Sequence, residues 1–173
     1  MSKLATAEYL KPHFDEDVDL NSIYRYMDKL YNTQMELAQQ ISVEHTKKML
    51  GGKVGLMFYD VTTLYFETSP KDVLREPGFS KDGKAAESQA VLGLLVSEGG
   101  YPLSYSLFSG SQHEGFTVTP TIDDFRQRYG LGNDFVVVAD SGLMNRDNVT
   151  LLRQDGYKYG IGARIKGENK TVK

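Results

Sequence analysis

The stretch KVGLMFYDVTTLYFE, residues 53–67, decides how the rest of the chain is read. Alternate positions place Val54, Leu56, Phe58, Asp60, Thr62, Leu64 and Phe66 on one face of a strand, and Gly55, Met57, Tyr59, Val61, Thr63 and Tyr65 on the other. Both faces are largely apolar, so the pattern predicts a central strand. A carboxylate inside such a strand is costly to bury unless it is paired, hydrogen-bonded or bound to a cation. Asp60 is therefore the residue the fold has to account for.

Downstream, the polar stretch TSPKDVLREPGFSKDGKAAES is too long for a tight hairpin loop and reads as a substrate-facing loop, with Lys81, Lys84 and Arg75 as candidate phosphate contacts. The runs QAVLGLLVS (89–97) and YPLSYSLF (101–108), joined by Glu98-Gly99-Gly100, predict a hairpin. With the strand of Asp60 they form an antiparallel three-strand meander. His113 and Glu114 follow in a loop. Thr119-Pro120 then caps and starts a helix whose apolar face is Ile122, Phe125 and Tyr129, closed by Gly130. The continuous apolar run FVVVA (135–139) reads as a strand covered on both faces, with Asp140 at its carboxyl end. Asn145 caps a further helix through Leu151 and Leu152, Gly156 ends it, and YKYGIGA (157–163) is a last strand. The order is β-β-β-α-β-α-β, a mixed sheet with helices covering it.

Upstream, residues 20–52 read as a helical extension. Ile23, Tyr26/Met27 and Leu30 have helical spacing, Thr33 and Glu36 fit a capping box that would begin a second helix, and Gly51-Gly52 would end it. Residues 1–19, with the acidic Asp15, Glu16, Asp17 and Asp19 and no clear periodicity, are expected to be a flexible arm. The sheet-forming part is assigned to residues 53–173.

The composition of the 173 residues, 40% hydrophobic and 25% charged, is that of a globular protein, and no apolar run approaches the roughly 20 residues of a membrane span. With no secretory h-region at the N-terminus, a cytoplasmic location is expected. The absence of cysteine excludes thiolate catalysis and cysteine metal sites. A net charge of −3 argues against a stand-alone nucleic-acid binder, so any DNA contact must be local.

In open sheets with parallel strands, ligands gather at the carboxyl ends of the strands, where Asp140 falls. If its strand docks parallel beside that of Asp60, the two carboxylates face each other across one inter-strand spacing of about 5 Å. Such carboxylates repel one another unless a cation lies between them, and an all-oxygen site suits Mg²⁺ or Mn²⁺. Thr62 and Thr63, beside the first acid, and His113 are candidate supporting residues. Arg146, with the basic bias beyond it, is a candidate DNA contact.

The segments YDVTTLYFE around Asp60, GFSKDGK, VLGLLVSEGGYPLSYSLFSGSQHE and VVVADSGLMNRDN around Asp140 resemble bacterial insertion-sequence transposases of the DDE class, in the insertion-sequence-four-like branch. The resemblance spans roughly residues 20–166. It implies an RNase H-like catalytic domain in which Asp60 and Asp140 are the first two acids of an Asp-Asp-Glu triad holding two Mg²⁺ (or Mn²⁺) ions. It also implies DNA, as element end and target, for the substrate, with phosphodiester hydrolysis followed by strand transfer.

The family's third acid lies within a signature of Tyr, two residues, Arg, three residues, Glu, six residues, Lys. Arg164 and Glu168 have the Arg-to-Glu spacing, but Tyr159 is displaced by two positions and no Lys stands where the pattern requires it. The triad is therefore expected to be incomplete at the C-terminus and the chain inactive alone. Arg164 and Lys166 remain candidate DNA contacts. The alternatives are another RNase H-like nuclease, or a non-catalytic remnant that binds DNA or forms a homodimer through the helices over 20–50.

Overall fold

The computed structural model describes residues 2–67, 72–79, 83 and 87–162. The chain divides into two compact units, residues 1–41 and 42–173.

The first unit is helical. Helix α1 (Lys3–Phe14) is capped by the Ser2 hydroxyl, which accepts from the Ala5 amide at 3.1 Å, and it ends on Asp15 in the left-handed region. Within residues 1–19, read from the sequence as a flexible arm, a local cap suffices to start a helix where no apolar face is present. Helix α2 (Leu20–Lys29) continues through a π-helical turn (Leu30–Gln34) directly into α3 (Met35–Met49). No new helix starts at Thr33. Its hydroxyl donates back to the Lys29 carbonyl at 2.8 Å, because no Gly or Pro between Leu20 and Met49 interrupts the helix. Gly51 and Gly52, at φ +73° and +97°, follow as the sequence requires.

In the second unit the strands are β1 (Leu56–Phe66), β2 (Glu76–Pro77), β3 (Ser88–Ser97), β4 (Pro102–Ser109), β5 (Val136–Asp140) and β6 (Lys158–Gly162). The sheet order is β2-β3-β1-β5-β6, with β4 also paired to β3. β1, β3 and β4 form the expected antiparallel meander, while β5 runs parallel to both β1 and β6. Helix α4 (Val118–Tyr129) begins two residues earlier than expected, with Thr117 rather than Thr119 at the cap position and Pro120 as its third residue, and α5 (Arg146–Gln154) is capped by Asn145 accepting from the Asn148 amide. An α/β fold of a mixed sheet with flanking helices in this strand order is an RNase H-like arrangement.

The core is built on one face of the sheet. Met57, Tyr59, Leu95, Leu103, Val137 and Ala139 pack with Val43 of α3, Ile122 and Phe125 of α4, and Leu152 of α5. Burial alternates along β1 and β5, and on the opposite face Phe58, Leu64 and Leu107 remain 42, 41 and 45% exposed. β1 is central in the sheet, as its pattern predicts, and the prediction that both faces of β5 are covered is corrected for the described residues. An apolar run shows that a strand is central in its sheet, and it does not show on how many sides helices pack.

Candidate functional site

Tyr59 anchors the strand that carries the first acid. Its hydroxyl, in the core, donates to Thr117 Oγ1 at 2.7 Å beside the start of α4. Burial pushes this phenol above its ordinary range, with the hydrogen bonds to Thr117 and Thr121 opposing the shift. With Tyr59 turned inward, the next residue, Asp60, must face outward. It is exposed, on the open face with Phe58 and Thr62, and its Oδ1 accepts from the Val61 amide at 2.9 Å. The premise that Asp60 is a buried carboxylate is corrected, since no desolvation penalty has to be offset there.

Asp140 lies level with it. The parallel register pairs Leu56 with Val136 through Tyr59 with Ala139, so Asp60 and Asp140 are the next residues on neighbouring strands. Paired residues of adjacent strands project to the same face, at an inter-strand separation of about 5 Å. Asp140 is exposed, and its Oδ1 accepts from the Ser141 amide at 2.6 Å and from the Ser141 hydroxyl at 3.3 Å. On the other side it pairs with Gly162 of β6, where a Cβ would stand 3.9 Å from the Asp140 Oδ1.

The turn after Asp140 is fixed from below. The Leu143 and Met144 amides donate to the Asp140 carbonyl at 3.0 Å, and the buried Asn148 donates its Nδ2 to the carbonyls of Leu143 and Gly115. Asn148 thereby ties the Asp140 turn to the loop of His113. The His113 Nδ1 accepts from the Gly115 amide at 3.0 Å, capping a short 3₁₀ turn (Glu114–Phe116).

The two threonines separate. Thr62 shares the face of Asp60, whereas Thr63 points to the other side and lines a pocket with His113, Glu114 and Asp140. Arg146 is exposed as the first residue of α5. Lys81, Lys84, Arg164 and Lys166 lie outside the described residues. Arg153, part of the basic bias after Arg146, donates its Nε to the Tyr159 hydroxyl at 2.6 Å and lies over that ring. Among the described residues no group of three or more His, Cys, Asp or Glu is placed to hold a metal ion. Sequence reading missed Gln89, Gln112 and Phe79, which border the same pocket. Gln89 is hidden as a polar residue at the start of an apolar strand, a position that periodicity alone treats as surface.

No protein-family model matches the chain, and no curated protein does. Among solved structures, the chain is similar in outline to a Mos1 transposase paired-end complex with left transposon end, at 10% identity and a TM-score of 0.41, covering 92% of this chain and 58% of that one. It is similar likewise to a pre-cleavage Mos1 transpososome, at 12% identity and a TM-score of 0.39, with the same coverage. The chain thus spans about 58% of the length of these structures. The fold assignment rests on the strand order and pairing described above.

Proposed function

We propose that this chain carries two acids of a DDE transposase catalytic core of the insertion-sequence-four-like branch, acting on DNA. The single observation that carries the reading is the parallel register of β1 and β5, which brings Asp60 and Asp140 level as the next residues after its last pair, both exposed. An oxygen-only pair open to solvent fits Mg²⁺ or Mn²⁺, and each carboxylate keeps its second oxygen for such an ion after accepting one backbone amide. When bound, divalent ions would activate a water or hydroxyl and stabilise the leaving oxygen of an in-line displacement at a phosphodiester.

The chain's own residues prepare that geometry. Tyr59 fixes the outward turn of Asp60, Ser141 orients one oxygen of Asp140, and Asn148 holds the turn behind it. Arg146 on the exposed start of α5, with Lys81, Lys84, Arg164 and Lys166, would supply phosphate contacts that position DNA without reading its sequence. The third acid of the triad is not supplied by the described residues, so we expect the isolated chain to bind metal weakly and to cleave DNA poorly. A homodimer through the helices over 20–50 and a cytoplasmic, nucleoid-bound location complete the proposal.

Calorimetric titration of Mn²⁺ into the wild type, Asp60→Ala and Asp140→Ala tests it. Binding heat in the wild type and its loss in both variants is the expected result, and identical heats in all three would remove the acid pair from the site. Robust metal-dependent strand transfer by the chain alone would overturn the missing-acid reading.

A further inference from the structure

The helix that runs from Leu20 through the π turn to Met49 carries a seven-residue repeat as far as Ile41. With the positions of the repeat lettered a to g, Leu20, Met27, Gln34 and Ile41 fall at a, and Ile23, Leu30 and Leu37 fall at d. Apolar residues spaced alternately by three and four make the seam along which helices wind together. The charged residues of the segment, Arg25, Asp28, Lys29 and Glu36, all fall at b, c or f, on the side away from that seam. Positions e and g hold Tyr24, Tyr26, Tyr31, Thr33, Ala38 and Gln40, without a charge among them.

Most of this seam stands open in the single chain. Met27, Leu30, Leu37 and Ile41 are 42, 42, 49 and 57% exposed, and α1, α2 and the π turn bury no residue. Helices draw most of their stability from packing an amphipathic face, and this one is left half open among the described residues. Gln34 decides what fits it. An amide buried in a seam is unfavourable unless its donor and its acceptor are both met. In the single chain its Nε2 reaches Thr33 Oγ1 at 3.2 Å. In a parallel, in-register pair of identical helices each a residue meets its own counterpart, so Gln34 meets a second Gln34 that supplies both groups. In an antiparallel pair it would meet a d residue, and Ile23, Leu30 and Leu37 are all apolar. The balanced charges of the segment offer no basic face to DNA, and the uncharged e and g positions offer no repulsion to a second copy.

We propose that residues 20–41 pair with the same segment of a second copy of this chain as a parallel two-stranded coiled coil, with Gln34 against Gln34 fixing its register. That the chain dimerises through these helices rests on the function proposed above, while the seam, its direction and the Gln34 pairing go beyond that reading. Tyr24 and Tyr31, both exposed and both at e, flank Met27 and Leu30 and widen the strip that pairing buries. The π turn Leu30–Gln34 lies inside the seam. Leu30 and Gln34 are four residues apart, the α-helical spacing of d to a, so pairing draws this turn from its i→i+5 bonds into the ordinary i→i+4 ladder.

The test uses the full chain, which has no cysteine, in sedimentation equilibrium and in crosslinking through single introduced thiols. The wild type is expected to sediment as a dimer. Leu30→Asp and Leu37→Asp should each raise the dimer dissociation constant roughly a hundredfold or more, and Asp28→Ala, at b, should leave it unchanged. Oxidised Gln34→Cys should form a disulfide-linked dimer and Asn32→Cys, at f, should not. That contrast requires the parallel direction, and it holds whether or not the aspartate variants fold. A dimer that survives both aspartate variants, an Asp28→Ala effect as large as theirs, no disulfide at Gln34→Cys, or equal crosslinking at the two thiol positions overturns the seam and leaves a homodimer made through other residues. A wild-type monomer at every concentration overturns the seam and the homodimer reading together. Neither result bears on the acid pair, which the Mn²⁺ titration reads separately.

Discussion

The phenol of Tyr59 occupies the volume that a side chain at Gly93 would need. A Cβ at Gly93 would collide with the Tyr59 hydroxyl and come within 3.0 Å of two of its ring carbons. Gly93 lies on β3 opposite Val61, one residue beyond Asp60 on the neighbouring strand. The absence of a side chain there lets Tyr59 reach Thr117 at the start of α4, and Tyr59 in turn sets the face on which Asp60 projects.

Gly93→Ala is therefore expected to destabilise the chain by about 1–3 kcal/mol, the usual cost of overpacking a filled core. Tyr59→Phe alone should cost less, roughly 1 kcal/mol for a buried hydrogen bond. The double variant should be more stable than the sum of the two, because the phenylalanine removes the atom nearest the new methyl group. A double-mutant cycle by urea denaturation measures the coupling. Strict additivity would show that the two residues do not share this space.

Alkaline pH should weaken the fold through the same residue. Burial holds the Tyr59 phenol above its ordinary range, and burial with a 2.7 Å hydrogen bond to Asp123 does so for Tyr157. A folded-state pKa raised above the unfolded one means that the native state keeps its proton longer. Its stabilisation is full below the ordinary tyrosine pKa of about 10 and is lost as pH rises from there through the folded value. Melting temperature measured upward from pH 9 should therefore fall. The fall should be shallower in Tyr59→Phe and shallower still when Tyr157→Phe is added. A slope unchanged in both variants would place the titrating groups elsewhere.

The turn behind Asp140 depends on one amide. Asn148 is 3% exposed and donates to the carbonyls of Leu143 and Gly115, joining two loops that are distant in sequence. Asn148→Ala strands both carbonyls and should cost roughly 2–4 kcal/mol. Asn148→Asp keeps the size but replaces the donor with an acceptor facing two carbonyls, so it should be at least as damaging. Hydrogen exchange at the Gly115 and Leu143 amides should accelerate in either variant. A melting temperature within error of wild type would show that neither loop relies on this link.

How far such features are legible in the sequence depends on the range of the forces behind them. The hairpin at Gly99-Gly100, the Asn145 cap and the αL ends at Gly130 and Gly156 are decided by neighbouring residues and were readable. The apolar run before Asp140 and the turn residues after it marked β5 as a strand, whereas its parallel docking on β1 was only a condition of the sequence reading and comes from the structure. The Thr33 capping pattern failed because a cap needs the chain to leave the helix first, and nothing between Leu20 and Met49 makes it leave. The open face of the sheet and the role of Gln89 were not readable, since both depend on which distant segments pack where. Phe58 and Met57 are both apolar, and what separates them is the face of the sheet on which the core packs.

That open face gives Asp60 its most direct test. A carboxylate buried in a central strand would gain stability on neutralisation, so Asp60→Asn would raise the melting temperature. The observed exposure predicts no such desolvation gain, and relief of the solvent-screened repulsion from Asp140 leaves a rise of about 0.5 kcal/mol at most in metal-free buffer. Addition of Mn²⁺ should then raise the wild-type melting temperature with increasing concentration, as any ligand bound only by the native state does, and leave Asp60→Asn unmoved. The two halves of the measurement answer different questions. A large stabilisation of Asp60→Asn without metal would show that the carboxylate is buried after all, by residues that cover the Phe58 face in solution. An equal Mn²⁺ response in both proteins would show that the ion binds without Asp60, and the level register with Asp140 would then be a property of the sheet alone.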